Sequence, residues 1–249
     1  MGTRKLYELL ETFMLEHQIK MGRDALFNLL ASNHLLVKRR KRRIHTTNSN
    51  HWFRKYKNLI KDFTPSVSNE LWVSDITYWK ANEQVYYISL ITDAYSHKVV
   101  GYQVAETLEA VESIEALKMA LASIDSSQAN LIHHSDRGIQ YCCHQYVNLL
   151  QDNAIKISMT ESGDPRDNAI AERINGILKN EYLYNYEVDN INEAKELLAS
   201  VVKLYNEERP HMSIGNNMPN EVHAKNAPTN KLWKSYYPKK PILVNQYQD

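Results

Sequence analysis

The chain has 249 residues, of which 43% are hydrophobic and 24% charged, a composition that allows one or two domains with an ordinary apolar core. It contains no run of 18 apolar residues and no signal-peptide pattern at its N-terminus, so neither a membrane span nor secretion is expected. The only cysteines are the adjacent Cys142 and Cys143. Because sequence neighbours rarely form a disulfide, a reducing cytoplasm fits best.

The net charge of +1 is the sum of two segments of opposite sign. Residues 1–65 hold 14 Lys and Arg against 5 Asp and Glu, whereas the remaining 184 residues hold 16 against 24. A basic segment suits a polyanion, and an acidic body suits bound cations. We therefore expect the two parts of the chain to have different tasks.

Two short helices are predicted at the N-terminus. Leucine and phenylalanine recur at helical spacing in residues 3–18, and leucines do so again in residues 24–36. Two helices joined by a glycine-containing turn are typical of a helix-turn-helix, although a plain helical hairpin fits the same pattern. We expect residues 1–45 to form a small all-helical domain of the helix-turn-helix type.

A block of six cations follows the second predicted helix, and such blocks usually stay solvated and often bind nucleic acid. Residues 46–67 have no sustained period and are interpreted as a basic linker. Cations mixed with aromatic residues, as in this linker, suit contacts to a nucleic-acid backbone together with stacking. The residues of this region expected to contact DNA are Lys38, Arg39, Arg40, Lys41, Arg42, Arg43, Arg54 and Lys55.

From about residue 68 the pattern changes to short apolar strands and amphipathic helices. Three strands with short turns come first, which is typical of an antiparallel meander. The full order predicts an α/β domain over residues 68–210, with a mixed five-stranded sheet and helices on its faces. The predicted strands are 71–79, 85–95, 97–106, 129–135 and 155–160, and the predicted helices are 108–125, 143–152, 168–185 and 191–208. Residues 211–249, rich in Pro and Asn, are predicted to form an irregular tail.

Three acidic residues stand out in this domain. Asp75 lies in a predicted strand, Asp136 directly follows another, and Glu172 lies on a predicted helix; 60 residues separate the first two and 35 the last two. Carboxylates that converge repel each other unless cations lie between them, and such hard oxygen ligands suit Mg²⁺ or Mn²⁺. Two ions roughly 3.5–4 Å apart can activate an attacking oxygen and stabilise a leaving oxygen at a phosphodiester.

Each acid also has an ordinary structural interpretation. Asp75 alone would suit a strand aspartate bonded to backbone, Asp136 a turn residue, and Glu172 a solvated helix face. Asp93 also follows an apolar strand and is interpreted as supporting structure rather than a ligand. The pair His133 and His134 lies near the two cysteines, but this spacing matches no usual zinc pattern, so the cysteines are expected in the core.

Five stretches of the sequence resemble, in order, the catalytic frame-B transposases of bacterial insertion sequences. They are WVSDITY, ITDAYSHKVVGY, HHSDRGIQY, DNAIAERINGILKNE and YNEERPHMSI, and the resemblance covers roughly residues 1–225. The three acids, with their spacing and element types, resemble the ribonuclease-H-like DDE core of retroviral integrases. The fold implied is a ribonuclease-H-like catalytic core preceded by the small helical domain.

The resemblance also implies an activity. Such enzymes cut DNA at the ends of the mobile element with water as nucleophile, and the freed 3′-hydroxyl then attacks another phosphodiester. By position, Asp75, Asp136 and Glu172 fall on the catalytic metal ligands of the family, which implies two Mg²⁺ ions with Mn²⁺ as a substitute. Among residues near the three acids, further DNA contacts are expected at Arg137, Gln140, Asn168, Arg173, Asn175 and Lys179.

The implied partners are double-stranded DNA, as terminal inverted repeats and as target, and further copies of the chain in a homodimer or higher oligomer. The implied location is the bacterial cytoplasm, on the nucleoid. The family usually carries an upstream helix-turn-helix and zipper segment from a separate frame, which would contribute to end recognition and dimerisation. Two alternatives remain: a domesticated, catalytically silent DNA-binding protein, and a ribonuclease-H-type nuclease that acts on RNA–DNA hybrids.

Overall fold

The structure is a computed structural model that describes residues 2–37, 51–124, 130–161, 168–226 and 229. The expected DNA contacts Lys38, Arg39, Arg40, Lys41, Arg42 and Arg43 lie outside the described residues. In the described part of the chain, no helix combines the length and the apolar character that a bilayer crossing requires.

The two predicted N-terminal helices are confirmed as α1 (Thr3–Glu16) and α2 (Arg23–Ser32). α2 ends four residues earlier than predicted, where the side-chain amide of Asn33 donates to the carbonyl of Leu29. Within this pair, Met14 and Leu26 are the buried apolar residues of the two helices. The helices therefore pack on each other through a small contact, and the choice between a helix-turn-helix and a plain hairpin stays a prediction.

The mixed five-stranded sheet is confirmed, with strand order β3-β2-β1-β4-β5. The first three strands form the antiparallel meander, and β4 and β5 run parallel to β1. The turn between β1 and β2 contains Asn82 with a φ of 51°, a conformation that asparagine tolerates better than most residues. The strands are β1 (Leu71–Ala81), β2 (Gln84–Asp93), β3 (Val99–Ala105), β4 (Ile132–Ser135) and β5 (Lys156–Met159).

Helices cover both faces of the sheet, each over its own apolar core. On one side Trp72, Leu117 and Tyr146 belong to a buried cluster that α3 and α5 complete. On the other side Trp79 and Leu198 belong to a second cluster under α6 and α7. The helices that follow the meander are α3 (Ala110–Leu121), α4 (Ile139–Cys142), α5 (His144–Asp152), α6 (Ala169–Ile177), α7 (Ile191–Glu208) and α8 (Pro219–Lys225).

Three predictions about local structure need correction. The predicted helix over 168–185 is a regular α-helix only to Ile177, after which a π-helical turn and a 3₁₀ turn continue the chain. The predicted irregular tail over 211–249 contains α8, which begins at Pro219 because the fixed φ of proline suits the first turn of a helix. The short helix α4 was not predicted.

The expected linker over 46–67 has no helix or strand in its described part, yet it lies against the sheet. Phe53 and Tyr56 pack on the first core cluster. The backbone N–H of Leu59 donates to the Ser158 hydroxyl at 2.9 Å, and the N–H of Met159 donates to the carbonyl of Lys57 at 3.4 Å. This segment therefore covers the β5 edge of the sheet instead of spanning open solvent.

Gly101 lies in β3 where α3 crosses the sheet closely. A Cβ atom there would lie 2.2 Å from the carbonyl oxygen of Ala116. Because this oxygen belongs to a helix backbone, Gly101→Ala should destabilise the protein by roughly 1–3 kcal/mol in chemical denaturation. Gly176→Ala is a suitable control, since its added Cβ meets only a side-chain atom at 3.9 Å. Equal stabilities of the two variants would contradict this prediction.

Candidate active site

Asp75 lies in β1 at the place where the neighbouring strand β4 ends. β1 pairs in parallel with β4 from Leu71 to Val73. If this register is extended by two residues, Asp75 stands beside Asp136, which directly follows β4. Paired residues of parallel strands point to the same face of the sheet, so the two carboxylates emerge on one side. Both side chains are half-buried.

Asp136 also makes the turn contact that its structural interpretation predicts. Its Oδ1 atom accepts a hydrogen bond from the backbone N–H of Gly138 at 2.9 Å. A Cβ on Gly138 would lie 2.9 Å from the same oxygen, so glycine allows this close approach. The turn holds the Asp136 carboxylate at the end of β4, and the turn role and a role as metal ligand are therefore compatible.

Glu172 lies in the first turn of α6 and is half-buried. Its helix is tied to β1 at three levels. Asn168 donates from Nδ2 to the carbonyl of Ser74 at 2.9 Å, and Asn175 donates from Nδ2 to Oδ2 of Asp75 at 2.7 Å. One turn further, the ammonium of Lys179 donates to the Thr77 hydroxyl. Helical spacing puts Glu172 on the same face as these three residues, toward β1.

The charges of the other two acids affect the pKa of Asp75. Burial is the main cause that raises the pKa of Asp75, to about 7, and the negative charge of Asp136 raises it further. The hydrogen bond from Asn175 opposes this shift, and the charge of Glu172 adds to it. The register of β1 with β4 and the bond from Asn175 of α6 to Asp75 agree with these effects: the three acids lie on neighbouring elements around the end of β4.

The donor set suits a hard divalent cation, because three carboxylates supply only oxygen ligands. The positive charge of a bound cation would also favour the ionised form of Asp75, which burial and the neighbouring acids disfavour. Among the described residues, however, no group of three or more His, Cys, Asp or Glu side chains is arranged to hold a metal ion. The carboxylates are neighbours rather than a closed cage, and side-chain movement is needed to bring their oxygens onto one ion.

Three residues expected to contact DNA have internal bonds instead. Asn168 and Asn175 are 7% and 3% exposed, and both amides are bonded to β1 as described above. Gln140 is 8% exposed and donates from Nε2 to the carbonyl of Leu108 at 3.0 Å. In this structure the three amides are therefore engaged within the protein, and DNA contacts at Gln140, Asn168 and Asn175 stay a prediction.

Lys179 is also more enclosed than expected. Its ammonium donates to the carbonyl of Tyr78 at 3.2 Å and lies 5.0 Å from the centre of the Tyr78 ring. Burial lowers the pKa of Lys179, and the nearby charge of Asp75 opposes that shift. The cation therefore lies beside the carboxylate trio and partly balances its charge.

The other expected contacts that the structure describes lie at least partly on the surface. Arg54, Lys55 and Arg173 are exposed, and Arg137 is half-buried directly after Asp136. The carbonyl of Arg137 is within 2.8 Å of Nε2 of His51, which ties the segment before the sheet to the Asp136 turn. Arg137 and Arg173 directly follow Asp136 and Glu172 in the sequence.

The alternatives raised for other polar residues are resolved by their contacts. Asp93 is fully buried and accepts hydrogen bonds from the backbone N–H groups of Asn69 and Ser96, which confirms its supporting role. Cys142 is buried, as expected of a core cysteine, whereas Cys143 is only half-buried; both are free thiols. His134 pairs through Nδ1 with the Ser158 hydroxyl at 2.8 Å.

His211, which follows α7, lies in a packed polar cluster. Its Nε2 atom lies 2.9 Å from Nη1 of Arg209, whose guanidinium also pairs with Glu181 at 2.8 Å. The ring packs against Tyr205, and burial keeps the pKa of His211 far below its usual value. His211 therefore stabilises the packing of the segment after α7.

The chain is similar to known proteins over most of its length. The family description Integrase core domain matches residues 65–165, and a second form of it matches residues 153–219. The insertion element IS600 uncharacterized 31 kDa protein of Shigella sonnei is 37% identical over 220 residues, which are 88% of this chain and 79% of that protein. The chain belongs to the bacterial insertion-sequence transposases with an integrase core. This family is one of DDE transposases.

Other members of the family are less similar. The transposase for IS629 of Shigella sonnei is 29% identical and covers 89% of this chain and 73% of that relative. The putative transposase InsK for IS150 of Escherichia coli is 32% identical over 63% of this chain, which spans 55% of that relative. The resemblance expected from the five sequence stretches is therefore confirmed.

Two solved structures confirm the ribonuclease-H-like fold. A chain of the simian T-cell lymphotropic virus intasome, in complex with PP2A regulatory subunit B56 gamma, aligns with a TM-score of 0.56 at 18% identity, covering 96% of this chain and 81% of that one. The HTLV-2 integrase catalytic core domain in complex with magnesium aligns with a TM-score of 0.50 at 18% identity, covering 63% of this chain and 97% of that one.

Proposed function

We propose that this transposase cuts and joins DNA at the ends of an insertion sequence, with Asp75, Asp136 and Glu172 as ligands of two Mg²⁺ ions, for which Mn²⁺ can substitute. The observation that carries the proposal is geometric: the parallel register of β1 with β4 sets Asp75 beside Asp136, and Asn175, on the helix that also carries Glu172, donates to Oδ2 of Asp75 at 2.7 Å. Three ionised acids that face one another from separate elements repel each other and destabilise the fold. Cations bound between them would remove that repulsion. Family membership supports the reaction class.

The residues of the site have distinct tasks in this proposal. When bound, the divalent ions supply an activated attacking oxygen and a stabilised leaving oxygen. Asn175 fixes the orientation of the Asp75 carboxylate through the bond to its Oδ2 atom. Asn168 fixes the start of α6 on β1 and thereby the position of Glu172. The same ligand set serves hydrolysis and strand transfer, since both are displacements at phosphorus.

The proposed partner is double-stranded DNA, in the form of terminal inverted repeats and of target DNA. Arg54, Lys55, Arg137 and Arg173 are the described cations placed to bind its phosphates. Residues 1–45 are proposed as a DNA-binding domain, 46–67 as a basic segment on the edge of the core, and 68–210 as the catalytic core. A homodimer or higher oligomer on DNA, in the cytoplasm and on the nucleoid, follows from the same proposal.

The basic block supplies a prediction about affinity. Neutralising Lys38–Arg43 to glutamine should weaken binding to all DNA sequences alike, because phosphate contacts carry no sequence information. Each lost phosphate contact should also reduce the slope of log affinity against log salt by about 0.9. Electrophoretic mobility shifts of two unrelated duplexes at several salt concentrations measure both effects. A loss confined to one sequence would show that the block reads bases.

The proposed activity is tested by strand cleavage of DNA that carries a terminal inverted repeat of the element. Cleavage should require Mg²⁺ or Mn²⁺ and should stop with a chelator. A protein that binds this DNA but never cuts it would match the catalytically silent alternative. Cleavage of an RNA–DNA hybrid in preference to the inverted repeat would match the nuclease alternative, and either result would overturn the proposal.

A further inference from the structure

Trp52 presents an unusual surface for a large aromatic residue. Its side chain is 80% exposed, whereas Trp72 and Trp79 are fully buried in the two cores. Exposure of an indole to water is unfavourable unless something covers it. The ring therefore has a large free face that can receive a flat apolar partner.

The Trp52 ring is also held in position by its neighbours. The ring of Phe53 stacks on it, with centroids 4.2 Å apart and an angle of 25° between the planes. Phe53 in turn packs on the first core cluster and meets His144 edge-on at 5.5 Å. Because the indole is already ordered from beneath, a partner that stacks on its outer face loses little conformational entropy.

The chemistry around the ring is cationic. Residues 51–57, HWFRKYK, contain three cations and no acidic residue, and Arg54, Lys55 and Lys57 are all exposed. The guanidinium of Arg54 lies 5.1 Å from the centre of the Tyr56 ring, which orients it on the surface. An exposed aromatic plane beside exposed cations is an arrangement that binds a nucleobase and its flanking phosphates.

The position of this surface links it to the candidate active site. His51, the neighbour of Trp52, lies with Nε2 within 2.8 Å of the carbonyl of Arg137. Arg137 directly follows Asp136 at the end of β4. A DNA end placed on the carboxylates would therefore have Trp52 close to its last base pairs.

We propose that Trp52 is a stacking platform for an unpaired base at the DNA end, with Arg54 and Lys55 on the adjoining phosphates. The proposal rests on the proposed transposase function and specifies its substrate: an end whose terminal bases have separated. Every nucleobase has a π-face, so the platform is tolerant of sequence. A base that has lost its partner in the duplex gains a new stacking surface here.

The test uses intrinsic fluorescence of the full chain in a Trp233→Phe background, with a chelator present so that no strand is cut. Trp52 is then the exposed indole, since Trp72 and Trp79 are buried. Two DNAs are compared: a duplex with three unpaired nucleotides at its 3′ end, and a blunt duplex of the same length. The frayed DNA should quench the fluorescence and bind more tightly.

Trp52→Ala should weaken binding of the frayed DNA about 5- to 150-fold and leave the blunt duplex within about twofold. Trp52→Phe should retain most of the preference, and Arg54→Gln should weaken both DNAs alike. The proposal fails if Trp52→Ala binds the frayed DNA like its parent or loses affinity for both DNAs equally. It also fails if the substitution changes only the oligomeric state of the free protein, measured by sedimentation, because Trp52 would then be a contact between copies of the chain. Cleavage by the parent in Mg²⁺ reports separately on the proposed function.

Discussion

Replacement of Asp136 with asparagine is expected to abolish strand cleavage and strand transfer while DNA binding is retained. Asparagine keeps the size of the side chain and the oxygen that accepts the hydrogen bond from Gly138, so the turn after β4 should persist. It removes one negative charge and one anionic oxygen from the proposed metal ligands. We expect the rate of cleavage to fall by about 10³-fold or more, which corresponds to roughly 4 kcal/mol of lost transition-state stabilisation.

A matched control for this variant is Asp152→Asn, the same substitution at the end of α5. Asp152 is exposed and lies outside the candidate site, so its variant should cut like the parent. Both proteins are compared for binding to the inverted repeat in a chelator and for cleavage in Mg²⁺. Cleavage by Asp136→Asn at the rate of the control would remove Asp136 from the catalytic set.

Much of the fold follows from local patterns that the tertiary structure reinforces. The meander β1–β3 was predictable because each strand is a long apolar run that ends in a turn signal. α7 was predicted with its observed ends, 191–208; in the structure the side chain of Asn190 caps its start, and Pro210 follows soon after its end. The proximity of Asp75 and Asp136 was expected because one lies within a strand and the other directly follows a second strand of the same predicted sheet. The parallel pairing of β1 with β4 then puts them side by side.

The polar face of α6 shows that a single sequence does not tell which partner a helix face packs against. Asn168, Asn175 and Lys179 have helical spacing with Glu172, and this spacing predicted a shared face correctly. Whether that face meets DNA or a neighbouring strand depends on how the helix packs, and here it packs on β1. The face that these residues share with Glu172 was the available signal that they belong to the same part of the fold.

Residues 51–61 illustrate a related difficulty. They have no helical or alternating period, so they were interpreted as a linker, yet apolar Phe53, Tyr56 and Ile60 pack on the cores. An irregular backbone can bury side chains wherever the rest of the fold leaves an open edge. The β5 edge of the sheet is open in this way, and residues 57 and 59 bond to it. This edge exists only once the five strands have assembled, so it cannot be read from the sequence.

The free energy of unfolding should depend on pH through the ionisation of Asp75. In the absence of divalent cations, the pKa of Asp75 rises from 3.8 to about 7 on folding. The folded protein therefore holds this proton more tightly than the unfolded chain. The contribution of Asp75 to the free energy of unfolding should fall as pH rises from about 4 to about 7, and it should remain low above that. The penalty at pH 8 should be about 2–4 kcal/mol.

Asp75→Asn removes the group that ionises and keeps an oxygen that can accept the hydrogen bond from Asn175. In a chelator, the variant should be more stable than the parent at pH 8 and close to it at pH 4.5. Urea denaturation of both proteins at the two pH values isolates Asp75, because other shifted groups, such as the buried His133 with its lowered pKa, are common to both.

Divalent cations should offset most of this difference. Mg²⁺ at 100 times its dissociation constant would stabilise the parent by about 2.7 kcal/mol, whereas the variant lacks one ligand and should gain little. If the proposed site is correct, the charge that opposes folding in the metal-free protein is the charge that binds the metal. A parent that is equally stable with and without Mg²⁺ at pH 8, and no more sensitive to pH than Asp75→Asn, would show that the three carboxylates do not act as one metal site.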